Sequence, residues 1–202
     1  MINLPLNCKV DKFIPKKTFY EKVNISNTIR EEFVDKLNKI YWRYKLSEDT
    51  INISKTNDVE EIEIFEIELK EKYNSKNVIK VITKNIPYPI LFYIKYEEEF
   101  QYAIKYEDDI FFSVWNEEIE FKLQGYSLND IYDNITKSVL QEKDNESNLE
   151  EIVKRNSIIE QYQKQIASLE RQLKSEFQFN RKVEINRRLQ KLKKDLEEYL
   201  NG

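Results

Sequence analysis

An α+β fold follows from three features of the sequence: a mixed, mainly antiparallel sheet with flanking helices, and a C-terminal helical hairpin or coiled coil. Short runs rich in Ile, Phe and Tyr, several of them alternating with polar residues, are spaced along residues 50–123. Apolar residues at three- and four-residue steps precede and follow these runs, the signature of amphipathic helices. From residue 150 the period becomes seven. The expected division is an α/β domain over 1–141, a polar linker over 142–149 and the helical element over 150–202.

The chain opens with an arm that carries Lys9, Lys12, Lys16, Lys17 and Lys22, with Phe13, Ile14, Phe19 and Tyr20 to pin it to the body. Ser26 reads as a helix N-cap, and Ile29, Phe33, Leu37, Ile40, Tyr41 and Tyr44 predict one amphipathic helix from about 27 to 45. "TINIS" reads as a short strand. "VEEIEIFEIELKEK" alternates but slips phase at Ile64-Phe65, which predicts a strand that is bulged or covered on both faces. A short helix is expected over 75–84 around Val78, Ile79 and Ile82.

"IPYPILFYIKY" predicts a turn leading into a central strand. "FQYAIKYED", "IFFSVW" and "EIEFKL" then complete an antiparallel meander. Gly125 marks the way out of it, and Leu128, Ile131, Ile135 and Val139 line one face of a helix over 127–140. "QEKDNESN" has no apolar residue and reads as the linker. Ile152, Ile159, Tyr162, Ile166, Leu169 and Leu173 follow one heptad register; Ile185, Leu189, Leu192, Leu196 and Tyr199 follow another. The two fail to join across Ser175–Val183. A hairpin bend with Asn180 capping the second helix is preferred there over a stutter in one helix.

The absences narrow the chemistry. The 202 residues include no histidine, which removes the usual general base, every histidine-dependent nucleophilic site and the commonest metal ligand. Gly125 and Gly202 are the two glycines, and neither lies in a phosphate-cradling loop, so Walker and dinucleotide-binding motifs are excluded. One cysteine, Cys8, allows no internal disulfide. No apolar run approaches the roughly 18–20 residues that span a bilayer, and there is no signal-peptide core. The expectation is a cytoplasmic protein with no membrane partner.

The net charge of −4 is unevenly spread. Residues 97–120 carry nine acidic residues against Lys105, whereas residues 176–194 carry seven basic residues against Glu176 and Glu184. Such polarity can steer one partner or let two parts of the chain attract each other, and a solvated surface has the same pattern.

Several stretches carry a family resemblance: "FIPKKTFYEK", "IYWRYKLSEDTINIS", "VEEIEIFEIELK", "IPYPILF" and above all "FNRKVEINRRLQKLKKDLEE". Over nearly the whole chain the sequence resembles the prokaryotic family known as domain of unknown function 4391. The resemblance implies an accessory role beside DNA methyltransferases and helicases of restriction-type or anti-phage systems. It brings no catalytic residues with it.

The residues themselves offer three readings. Phe177, Phe179, Asn180, Arg181 and Lys182 form a candidate partner-binding surface at the expected bend, since aromatic and arginine side chains dominate interface hot spots. The family resemblance, not the residues, implies a helicase or methyltransferase as the protein partner, with DNA reached through that complex; the C-terminal helices offer a seam for self-association. In the second reading, Glu66, Glu68 and Lys70 alternate on one strand face, as in the Glu-x-Lys half of a Mg²⁺-dependent nuclease; Asp49 or Asp58 would supply the remaining acid. Against that reading, a solvated strand face with cross-strand ion pairs has the same sequence. In the third, Lys16, Lys17, Arg187 and Arg188 are nucleic-acid candidates. The preferred function is a non-enzymatic adaptor with no cofactor and no metal; Mg²⁺ enters only with the nuclease.

Overall fold

The computed structural model describes residues 4–21, 24–119, 121–141 and 148–201. The chain divides into two compact units, Met1–Glu146 and Ser147–Gly202. Most of the polar stretch expected as a linker, residues 142–147, lies outside the described residues.

The first unit is built on one six-stranded sheet in the order β1-β2-β3-β4-β5-β6. A 3₁₀ turn at Leu6–Cys8 leads into β1 (Lys9–Phe13) and the short helix α1 (Lys17–Tyr20). Next come α2 (Asn27–Glu31), a π turn at Glu32–Lys36, and β2 (Leu37–Ser47). After α3 (Glu48–Ile51), β3 (Glu61–Leu69) crosses through α4 (Lys76–Asn85) to β4 (Ile90–Tyr96). The unit closes with β5 (Glu99–Tyr106), β6 (Asp109–Phe112) and α5 (Leu128–Val139). Neighbouring strands are antiparallel except β3 and β4, which pair in parallel because a helix, not a tight turn, joins them.

Two apolar layers sandwich the sheet. On one face Phe65, Ile67 and Leu69 of β3 pack with Phe92 and Ile94 of β4, beneath Val78, Ile79 and Ile82 of α4 and beside Phe19 and Phe33. On the other, α5 buries Leu128, Ile131, Ile135 and Val139. A capping box starts this helix: Ser127 Oγ accepts from Asp130 N, and Asp130 Oδ2 accepts from Ser127 N. Cover on both faces explains the unbroken burial of β3 from Ile62 to Ile67 and the phase slip in its sequence.

Three expected elements are corrected. The helix expected over 27–45 ends at Glu31, and residues 37–47 form β2. β2 has register shifts between Leu37 and Lys39 and between Trp42 and Tyr44. A bulge advances the side-chain phase by one residue. Leu37 and Ile40, three apart, therefore share the core face, and helical spacing is imitated by a bulged strand. Within "TINIS", Thr50-Ile51 belongs to α3, Asn52 is left-handed at φ 54°, and Ser54 makes only an isolated bridge to Ser127. There the Ser47 N–H donates to Thr50 Oγ1 at 2.8 Å, a local hydrogen bond that competes with strand pairing. "EIEFKL" forms no strand among its described residues; the meander ends at β6, where Ser113 Oγ accepts from Tyr102 N at 3.0 Å.

The second unit is a helical hairpin, α6 (Leu149–Ser175) and α7 (Phe179–Asn201). Asn148 caps α6 by accepting from Glu150 N at 3.0 Å. The Tyr162 and Tyr199 rings lie 6.3 Å apart, and Lys193 pairs with Glu170 at 2.7 Å. The bend falls at Glu176–Gln178, so the two heptad registers belong to different helices. Asn180 lies inside α7 and does not cap it. Instead Glu176 Oε1 accepts from Phe177 N and Gln178 N, which closes the bend without glycine or proline.

Candidate functional site

The hairpin bend is longer than a minimal one. Tyr162 is thirteen residues before the end of α6, whereas its neighbour Tyr199 is twenty residues after the start of α7. At about 1.5 Å per residue, α7 overhangs the end of α6 by about 10 Å. The extended backbone at Glu176 spans that offset. The first turns of α7 thus lack a partner helix: residues 179–184 are all exposed, and Leu189 is the first fully buried side chain of α7.

Phe177, Phe179 and Val183 are 95%, 77% and 53% exposed at this overhang. Phe179 and Val183 stand four apart and share a face. Arg181, Lys182, Arg187 and Arg188 are exposed around them, with Arg188 paired to Glu184. The two backbone donors hold the Glu176 carboxyl below its usual range, so it stays ionised beneath the basic residues. All five partner-binding candidates therefore sit together on one projecting tip.

The nuclease candidates are not brought together. Glu66 and Glu68 share a face of β3, as alternation requires, but Lys70 lies beyond the strand end and its Nζ donates to the Val34 carbonyl at 2.8 Å. Ser47 pairs with Glu61 and Tyr41 with Glu66, so Asp49 and Asp58 lie at the opposite end of β3. At ~3.3 Å per residue, that is roughly 17 Å from Glu66. Glu66 is engaged by Arg43 at 2.7 Å and Glu68 by Asn38 at 3.2 Å. Among the described residues, no group of three or more His, Cys, Asp or Glu is placed to hold a metal ion.

The nucleic-acid candidates divide between the two units. Lys16 Nζ donates to the Leu37 carbonyl at 2.8 Å, and burial, followed by the charge of Lys70, lowers its pKa. Lys17 is exposed and 3.8 Å from Glu21. Arg187 and Arg188 belong to the other unit.

Two constellations went unread in the sequence. At the second bulge of β2, Arg43 reaches Glu66 at 2.7 Å and Asp11 at 3.1 Å while stacking over Tyr41 at 4.3 Å. It lines a hollow of about 240 Å³ with Lys9, Tyr93 and Lys95. Arg43 shares this face with Tyr41 by alternation, and the bulge adds Tyr44 to it; the helix expected there hid both.

On the opposite face a cleft of about 540 Å³ lies between the N-terminal arm, β2, β3 and the end of α4. Glu63 lines it and is 3% exposed, and its Oε2 has no hydrogen-bond partner among the described residues. Burial, reinforced by neighbouring Glu61, raises the Glu63 carboxyl to about 8. Glu61 in turn pairs with Lys45 at 2.8 Å. The signal was available, since Glu63 shares the phase of Phe65, Ile67 and Leu69.

A family model described as Domain of unknown function (DUF4391) matches residues 2–196. No curated protein and no solved structure matches the chain.

Proposed function

The chain belongs to the family described as Domain of unknown function (DUF4391), and from that premise we propose that it is a non-enzymatic accessory subunit of a prokaryotic DNA restriction or anti-phage system. It docks through the overhanging tip of its helical hairpin onto a helicase or DNA methyltransferase. The observation that carries this reading is the tip itself, where two phenylalanines and a valine stand in solvent on an unpartnered helix start. Single exposed apolar residues are ordinary; three on one projecting, positively charged element match the anchor-and-rim pattern of an interface.

The partner surface is an apolar groove edged by carboxylates. Phe177 and Phe179 fill the groove, and Arg181 and Lys182 set orientation and association rate. Asn180, on the first turn of α7, supplies a neutral hydrogen-bonding group beside them.

The test is co-purification with the helicase or methyltransferase encoded in the same locus. The Phe177→Ala/Phe179→Ala protein, shown by circular dichroism to keep its helices, is expected to lose capture by roughly a hundredfold, as for two hot-spot residues. Undiminished capture by the folded double variant overturns the reading.

A further inference from the structure

The cleft beside Glu63 is a built site that neither the hairpin nor the sheet needs. Trp42 from β2 and Tyr88 after α4 give it aromatic walls, and Phe13 from the arm, Glu61, Glu63 and Asn85 also line it. Its volume of about 540 Å³ lies in the range of small-molecule sites, roughly 300–1,000 Å³. Phe13 is 51% exposed and turns its ring to Tyr41 on the Arg43 face of the sheet, with ring centroids 5.8 Å apart, so the rings facing Glu63 are those of Trp42 and Tyr88.

Three features give the cleft a sign. Aromatic faces attract cations through their quadrupoles. Helix α4 ends against the cleft at Asn85, and a helix C-terminus carries negative partial charge. The two carboxyl groups are unequal: Glu61 has its counter-ion in Lys45 at 2.8 Å, whereas the buried Glu63 Oε2 has no partner among the described residues. A buried polar atom is normally satisfied, and an orphan in a roomy cleft marks the place of an absent donor. The opposing charge is Lys12, which lines the cleft from β1 and is exposed.

We propose that this cleft binds a small organic cation of the alkylammonium or guanidinium class, with Glu63 accepting its N–H donors and the Trp42 and Tyr88 rings flanking its charge and alkyl stem. The occupied site completes the chain Lys45, Glu61, Glu63, ligand, in which each carboxylate has one cation. The groups facing Glu63 are Glu61 on its own strand, Lys45 on β2 and Lys12 on β1; α4 contributes the neutral amide of Asn85. Because burial keeps Glu63 protonated at neutral pH, a cation that arrives already charged must expel that proton to bind.

The test is isothermal titration of the full chain with agmatine, with n-butylamine and 1-butanol as isosteric charged and neutral probes. Expected are saturable agmatine binding, n-butylamine binding more tightly than 1-butanol, and loss of roughly tenfold or more in affinity in Glu63→Gln. Titrations at pH 7 in two buffers of different ionisation enthalpy should report release of close to one proton, absent at pH 9.5, where Glu63 is already ionised. Trp42→Leu weakens binding yet keeps the proton release. Agmatine that fails to saturate in the millimolar range, binding indifferent to Glu63→Gln, or 1-butanol binding as tightly as n-butylamine overturns the proposal.

Discussion

Burying a carboxyl group among aromatic rings costs the folded state whenever that group is ionised. Glu63 therefore links stability to pH. Its folded-state value is raised to about 8, whereas in the unfolded chain it titrates as an ordinary glutamate. Between those values the native state holds a proton that the unfolded state has lost, so this group's contribution falls as pH rises from about 4.5 to 8 and then levels off. Glu63→Gln, which cannot ionise, removes the penalty. Urea denaturation should find the variant more stable than wild type by roughly 4 kcal/mol at pH 8 and nearly equal at pH 4.5. Parallel pH curves would contradict this account. Arg43 makes the converse case. Its guanidinium serves Glu66, whose side chain is 12% exposed, and Asp11 together. Arg43→Met strands Glu66 and should cost about 2–4 kcal/mol in the same assay; Arg43→Lys recovers only part, because an ammonium lacks the planar fork.

At the scale of elements, legibility depended on whether periodicity was local. β3, α4, β4, β5 and α5 were readable because alternation, prolines and apolar faces all lie within each segment. β2 was not. Its bulges at Leu37–Lys39 and Trp42–Tyr44 respond to partners on β1 and β3, and a strand that slips phase twice spaces its core residues like a helix. The same error concealed Arg43. In the C-terminal unit, mismatched heptads revealed that a bend exists, but the overhang of α7 became visible only from the pairing of Tyr162 with Tyr199. That overhang separates stability from recognition. Leu189 is buried in the hairpin seam, and Leu189→Ala should cost about 2–4 kcal/mol in helix unfolding followed by circular dichroism. Phe177→Ala/Phe179→Ala should shift the same transition by no more than about 0.5 kcal/mol, since both rings already stand in water. A large loss in the double variant would make these rings part of the fold.

The whole molecule divides its charge as it divides its chain. Residues 147–202 carry twelve basic and nine acidic residues, a charge of +3, whereas the sheet unit carries twenty-one basic against twenty-eight acidic, a charge of −7. Within 179–194 the contrast is sharper, seven basic residues against Glu184 alone. Composition made this asymmetry legible; it left open whether the charges stood near the phenylalanines, which the overhang resolves by presenting both on one projecting segment. The two contributions should then separate kinetically. Long-range attraction acts before contact and is screened over about 10 Å at 0.1 M salt, whereas apolar anchoring acts after contact. In surface plasmon resonance against the proposed partner, raising salt from about 50 to 500 mM should slow association roughly tenfold and change dissociation little. Phe177→Ala/Phe179→Ala should do the opposite, accelerating dissociation at an almost unchanged association rate. If salt instead acted mainly on dissociation, Arg181 and Lys182 would be buried in the contact and would not be steering from its rim.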